Sequence, residues 1–315
     1  MTTQATKTSL KGVLMLLLTA LIWGSSFVAQ SVGMESVEAF TFNGIRTLMG
    51  AAVLTPFVLI RDGLDRRRAP ERYAARAATY RRTILCGIPL GIVLCLASNF
   101  QQFAFNYSTS GKIAFVTALY MFLVPIFGLV IRKRVPALTW LCVVMGFIGL
   151  GFLCVNPQDL SSINFGDILA GICAVFYAVQ ILMVERFSER CDGVMLSLTQ
   201  FVVSGVLSCL LMFLTETPEA SAIRAAMVPM LYSGVLSCGV AYTLQIVGQK
   251  YTEATVASLI MCLESVFGVL CGAIVLHEVL SVQEITGCVI MFAAIVLSQL
   301  ADRIRFGRGK RKVEN

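Results

Sequence analysis

The chain has 315 residues, a formal net charge of +7 and a mean hydropathy of +0.81; 57% of its residues are hydrophobic and 14% are charged. Soluble domains carry about 25% charged residues, so the composition excludes a soluble globular protein and predicts a polytopic protein of the lipid bilayer. The basic balance is not a nucleic-acid signal, because Lys and Arg are confined to particular loops, and no nucleic-acid partner is expected.

Ten apolar segments follow in chain order: Gly12–Val32, Ala39–Ile60, Ile84–Phe105, Gly111–Ile131, Ala137–Val155, Gly166–Val184, Gly193–Leu214, Met227–Val247, Ala254–Leu276 and Val282–Leu300. The first exceeds the apolar core of about 7–15 residues in a cleaved signal peptide, so it is expected to remain as a membrane helix. The ninth, as a helix, covers roughly 34 Å, enough to cross a hydrocarbon core of about 30 Å. The eleven Cys form no Cys-x-x-Cys pair, and ten of them fall inside the predicted helices, as small packing residues do.

Cytoplasmic loops carry an excess of Lys and Arg. With both termini inside, 22 of the 25 basic residues are cytoplasmic: Lys7, Lys11, eight Arg between Arg61 and Arg82, Arg132, Lys133, Arg134, Arg186, Arg190, Lys250 and six between Arg303 and Lys312. Lys112 and Arg224 fall outside, and Arg46 lies within a helix. The expected location is the inner (plasma) membrane, multi-pass, with cytoplasmic termini. The Arg-rich loop and tail serve as topology signals or as sites for anionic lipid heads.

Two offsets reveal an internal repeat. Shifting by 154 lays Gly12 on Gly166, Ala20 on Ala174, Trp23 on Tyr177 and Arg46 on Gln200. Shifting by 144 lays Ala97 on Ala241, Gln101 on Gln245 and Tyr107 on Tyr251. Equivalent loops have opposite charge bias: Arg132, Lys133 and Arg134 stand against Leu276, His277 and Glu278. Five helices per half is odd, so the halves insert upside down relative to each other, the pattern of secondary transporters with midplane sites. The expected fold is all-α, ten transmembrane helices as two inverted five-helix repeats. The first repeat is 1–156 with an Arg-rich loop at 61–83, the second is 157–301, and 302–315 is a basic tail.

Several stretches carry a resemblance. They are Trp23-Gly24-Ser25-Ser26-Phe27; Tyr107-Ser108-Thr109-Ser110-Gly111-Lys112-Ile113-Ala114-Phe115; Lys250-Tyr251-Thr252-Glu253-Ala254; and Leu263-Glu264-Ser265-Val266-Phe267. In their order and spacing they resemble EamA-type permeases of the drug/metabolite transporter superfamily, though the family often has Pro where Ser265 stands. The resemblance implies a ten-helix carrier of small metabolites, often an exporter of amino acids.

Polar groups within the membrane need partners or water. A carboxylate such as Glu264, near the middle of its segment, costs about 2.5–3.5 kcal/mol on insertion scales. It is positioned to carry a proton, to meet a substrate amine, or to hydrogen-bond a neighbouring helix. Arg46 attracts an anionic substrate group, pairs internally, or reaches the outer interface. Asn99, Gln102 and Asn106 share one helix face, as do Tyr242, Gln245 and Gln249; such stripes line cavities or bond neighbouring helices. Gln101 falls off the first stripe, so it is not expected to face the same cavity fully as Gln245. Trp23, Tyr120, Tyr177 and Tyr242, with Ser25 and Ser26, form a cavity wall or pack as core and interface aromatics. The Gly87–Gly91 and Gly268–Gly272 patterns allow helix packing within the chain or dimerisation, so a monomer or weak dimer is expected. Pro56, Pro89 and Pro125 are candidate bends.

The chain has no Gly-x-x-x-x-Gly-Lys-Ser/Thr loop and no His-Glu-x-x-His motif, so neither an enzyme nor a cofactor is expected. The function that fits is a secondary active transporter, with export favoured, of a small-molecule substrate such as an amino acid. It would work by alternating access around a midplane cavity, with a proton as candidate coupling ion. The alternative is a non-transporting sensor or assembly subunit on the same scaffold. Candidate substrate-binding residues are Trp23, Ser26, Arg46, Asn99, Gln102, Tyr120, Tyr177, Tyr242, Gln245 and Glu264.

Overall fold

The computed structural model describes residues 9–108, 110–133, 135–154, 163–276 and 281–311. Every regular element among them is helical. Spans 1, 2 and 3 are Leu10–Met34, Ala39–Arg68 and Pro70–Ala104. Span 4 is broken into Ser110–Thr117 and Tyr120–Val130, and span 5 is Ala137–Cys154. Spans 6 and 7 are Phe165–Ser188 and Gly193–Thr215. Span 8 runs through Met227–Tyr232, a π-helix Ser233–Tyr242, and Thr243–Gln249. Span 9 is broken into Ala254–Met261 and Leu263–Leu276, and span 10 is Val282–Arg311. Among the described residues, eight helices are long and apolar enough to cross a membrane, and two shorter apolar ones, Ala137–Leu153 and Val282–Ser298, complete the ten.

Local chemistry sets the starts. The Ser9 side chain accepts from the Gly12 amide at 3.2 Å. Asn164 and Asp167 form a capping box at span 6, and Asp192 accepts from the Met195 amide at span 7. Each satisfies an amide that the first helical turn leaves without a partner. Span 2 is capped from elsewhere in the chain. The Glu216 carboxylate accepts from the Phe40 amide (2.8 Å) and from the Thr41 amide and hydroxyl (both 2.7 Å).

Three expectations change or fall outside the description. The segment 61–83 is not a loop: spans 2 and 3 extend into it and only Ala69 is non-helical, with Pro70 opening span 3. Pro favours the first helical position, where its missing N–H costs nothing. Ion pairs fix this hairpin. Arg76 contacts Asp62 at 3.0 Å and Asp65 at 2.5 Å, Tyr80 donates to Asp62, and Arg61 reaches Asp192 at 3.1 Å. The basic tail is helical through Arg311. The boundary at 156/157 and His277 lie outside the described residues.

The halves interlock rather than sit side by side. Span 1 packs on spans 8 and 9, and its mate, span 6, packs on spans 3 and 4. Span 2 lies against its mate span 7, and span 5 against its mate span 10. The close approaches follow the same symmetry. A side chain at Gly12 would strike Tyr251 and Thr252; one at Gly166 would strike their equivalents Tyr107 and Ser108. With no hydrophobic drive between helices in lipid, such contact through small residues supplies much of the association. Gly87 and Gly91 pack against Thr199, Gln200 and Val203 of span 7, and Gly268 packs against Gly24 of span 1. These glycines are therefore used within the chain. Leu14, Leu18 and Leu21 of span 1 are exposed while Leu16 and Ala20 are fully buried, a lipid-facing and a bundle-facing side.

Candidate functional site

Where spans 1, 2, 3, 4, 6, 8 and 9 meet, the bundle leaves a cavity of about 40 Å³. Its walls are Trp23, Phe27, Gln30, Arg46, Gln101, Thr117, Tyr120, Tyr177, Gln180, Ile181, Ser237, Tyr242, Gln245, Met261 and Glu264. Small-molecule sites occupy about 300–1,000 Å³, so in this conformation the walls are closed down to water-sized space.

Backbone irregularities surround it. Span 4 breaks at Ala118 and Leu119, where the Leu119 amide bonds to Val116 and the Met121 amide to Ala118, three residues back. Span 9 breaks at Cys262, the equivalent of Ala118, without a Pro at position 265; the Ser265 amide reaches back three residues to Cys262. The breaks face each other, with Cys262 Sγ 3.9 Å from the Ala118 carbonyl. Tyr120 and Glu264 stand at the starts of the second half-helices. Span 1 comes close enough because residue 24 is glycine: a Cβ there would lie 2.4 Å from the Glu264 carbonyl oxygen. Broken helices of this kind line cavities, since bare backbone is tolerated at membrane depth only beside protein or water.

Aromatic residues and amides link the walls. The Tyr120 hydroxyl donates to Glu264 Oε1 at 3.3 Å, and those of Tyr177 and Tyr242 lie 3.2 Å apart. Tyr177 also donates to Gln101 Oε1 at 3.4 Å, and the Trp23 and Tyr242 rings are 4.7 Å apart. Gln180 and Gln245 exchange reciprocal amide bonds at 3.0 and 3.5 Å. The Trp23 indole N–H and Gln30 Oε1 are buried without a hydrogen-bond partner among the described residues. Arg46 is 5% exposed, donates through Nε to Asn43 Oδ1 at 2.7 Å and lies over the Phe42 ring. Among the described residues no ion pair joins Arg46 to Glu264 or to any other carboxylate.

Of the residues expected from sequence, Trp23, Arg46, Tyr120, Tyr177, Tyr242, Gln245 and Glu264 converge on this space. Three do not. Ser26 bonds Ser233 at 3.4 Å, between spans 1 and 8. Asn99 donates to Ser208 Oγ at 2.8 Å on span 7 and accepts from Asn43 on span 2. Gln102 is fully buried away from it. Asn99 of the span 3 stripe thus meets polar groups of spans 2 and 7, and Gln102 is buried with neither amide atom hydrogen-bonded among the described residues, while Gln101, off that stripe, faces the cavity with Gln245.

The missed residues Phe27, Ile181, Thr117 and Met261 have no polar signature strong enough to single them out, but they obey the repeat. Trp23/Tyr177, Phe27/Ile181, Gln101/Gln245, Thr117/Met261 and Tyr120/Glu264 are equivalent pairs at the two offsets. Ten of the fifteen wall residues are therefore repeat mates, which puts the cavity on the pseudo-two-fold axis.

The sequence profile of the EamA-like transporter family matches twice, at residues 10–155 and 164–300. An "Uncharacterized transporter" of Archaeoglobus fulgidus is 28% identical over 286 residues, covering 90% of this chain and 84% of the relative. The "Uncharacterized transporter YoaV" of Bacillus subtilis is 22% identical over 288 residues, covering 88% and 93%. A solved crystal structure superposes with a TM-score of 0.70 at 18% identity, covering 93% of this chain and 97% of its own, a likeness of fold. With both halves matched, this multi-pass membrane transporter belongs to the EamA-like transporter family.

Proposed function

We propose that the protein is a secondary carrier that exports a small zwitterionic metabolite, an amino acid or a close relative, across the plasma membrane. The observation that carries this reading is the axial cavity itself. It holds one basic and one acidic side chain, Arg46 and Glu264, unpaired with each other and separated by aromatic and amide walls. Arg46 would meet a carboxylate, Glu264 an ammonium or a coupling proton, and Tyr120 would orient the Glu264 carboxyl. The half-helix starting at Leu263 adds its N-terminal dipole beside Glu264. A cavity on the symmetry axis of an inverted repeat is the place where alternating access needs the substrate. The two halves, residues 1–156 and 157–301, exchange their first spans. The bodies that rock would therefore each draw helices from both halves.

The distribution of 22 of 25 basic residues supports cytoplasmic termini. Reporter fusions active only outside should be active after Val155 and silent after Arg190; the reverse pattern overturns the orientation. The function is tested in proteoliposomes preloaded with labelled L-phenylalanine, L-leucine or L-threonine. Counterflow of at least one, absent from empty liposomes, is expected; inertness towards all three while the protein is folded would reject the amino-acid reading.

A further inference from the structure

Arg46 is held without being neutralised. Its Nε donates to Asn43 Oδ1 at 2.7 Å. Asn43 is fully buried, and its Nδ2 donates to the Ser98 carbonyl at 2.8 Å and to Asn99 Oδ1 at 3.1 Å. Asn99 in turn donates to the Cys95 carbonyl and to Ser208 Oγ, both at 2.8 Å. The direction of this chain is fixed by chemistry: guanidinium only donates and a carbonyl only accepts, so the Asn43 amide can face just one way. Every link is neutral. The terminal nitrogens of Arg46 bond to no acceptor among the described residues, and the side chain borders the cavity. A guanidinium gripped at Nε retains its end-on fork of two terminal nitrogens, the edge that takes a carboxylate with two parallel bonds.

We infer that Asn43 is a positioning residue that aims the Arg46 fork at a substrate carboxylate while leaving its positive charge uncompensated. The inference rests on the reading of Arg46 as the partner of that carboxylate. An Asp at position 43 would fit the same space but answer the charge from within the protein; asparagine supplies the grip alone.

The test compares two probes on purified full-length protein: L-phenylalanine, and phenethylamine, which keeps the ring and ammonium and lacks the carboxylate. In wild type, phenylalanine binds more tightly. Asn43→Ala weakens phenylalanine about tenfold, the worth of a hydrogen bond to a charged group, and leaves phenethylamine unchanged. Asn43→Asp weakens phenylalanine to the level of Arg46→Gln, again without loss of phenethylamine binding. Asn99→Ala frees Asn43 without touching Arg46 and shows the same selective loss to a smaller degree; it is decisive where the Asn43 variants do not fold. Equal weakening of both probes makes Asn43 a packing residue and overturns the inference, as does no weakening of either. Arg46→Gln with undiminished preference for phenylalanine overturns the carboxylate reading of Arg46 itself. Failure of wild type to bind phenylalanine, leucine or threonine overturns both; where leucine or threonine alone binds, that amino acid and its decarboxylated amine replace the two probes.

Discussion

Spans 3 and 8 hold equivalent places in the two halves, yet their backbones differ at the same level. Span 3 is α-helical through Pro89; span 8 becomes a π-helix at Ser233, the position equivalent to Pro89. Proline removes one amide donor and crowds the preceding turn, whereas a π-turn reregisters every donor it contains. The consequences for the cavity are unequal. Span 8 contributes Ser237, Tyr242 and Gln245 to the wall, while span 3 contributes Gln101; Val93 and Ser98, the mates of Ser237 and Tyr242, face elsewhere. The charges are divided in the same way. Glu264 has an uncharged mate in Tyr120, and Arg46 in Gln200. The repeat has kept its arrangement of helices and diverged in local backbone and chemistry, and each mate is a built-in control for the other.

The largest contrast is expected between Glu264 and Tyr120. Glu264→Gln keeps size and hydrogen bonding but cannot exchange a proton, so pH-gradient-driven accumulation in proteoliposomes should vanish while substrate exchange persists. Tyr120→Phe removes one hydrogen bond and should slow transport only a few-fold. Wild-type accumulation by well-folded Glu264→Gln protein would remove Glu264 from coupling. Next come Arg46 and Gln200. Arg46→Ala should raise the half-saturating concentration of a zwitterionic substrate at least about tenfold, the value of a charge-assisted contact. Gln200 is fully buried and neither amide atom has a hydrogen-bond partner among the described residues, so Gln200→Met should leave transport intact and raise the melting temperature.

Packing gives a smaller effect. Gly24→Ala drives a methyl group into the Glu264 carbonyl and the Gly268 amide, an overpacking worth about 1–3 kcal/mol. A thermal melt shows it as a lower transition; an unchanged melt would mean that spans 1 and 9 separate without cost. The smallest contrast lies at the two ends of the span 2/span 7 pair. Glu216→Ala strips the cap from span 2, worth about 0.5–2 kcal/mol. Arg61→Ala breaks a partly buried pair with Asp192, worth about 1 kcal/mol. Reversed magnitudes in chemical unfolding would make the Arg61 end the tighter clasp.

Ten spans and the repeat were legible because lipid imposes long apolar runs and because identities such as Gln101/Gln245 survive in sequence. The wall was legible where a residue was costly in the membrane, as with Arg46 and Glu264, or aromatic in a matched position, as with Trp23 and Tyr177. Helical spacing misled at span 3. Asn99 and Gln102 form a polar stripe, but such a stripe satisfies neighbouring helices as readily as a cavity, and here Asn43 and Ser208 take Asn99. The offset that paired Gln101 with Gln245 was the better guide. The breaks at Ala118 and Cys262 involve residues with ordinary helical preferences, so tertiary contact alone produces them. The hairpin of spans 2 and 3 was hidden because charge suggested a loop, whereas Arg and Ala are good helix formers.

The exchange of first spans bears on how the molecule is made. Larger proteins commonly fold unit by unit as the chain emerges, N-terminal part first. Here span 1 cannot find its seat until spans 8 and 9 have been synthesised, and the Phe40 and Thr41 amides wait for Glu216. The first half must therefore pass most of its time in the translocation machinery and the bilayer unfinished, with Arg46 already inserted. Synthesis of the second half is then the step that closes the first. Each half expressed alone should be degraded, and the two expressed together from separate messages should rescue each other.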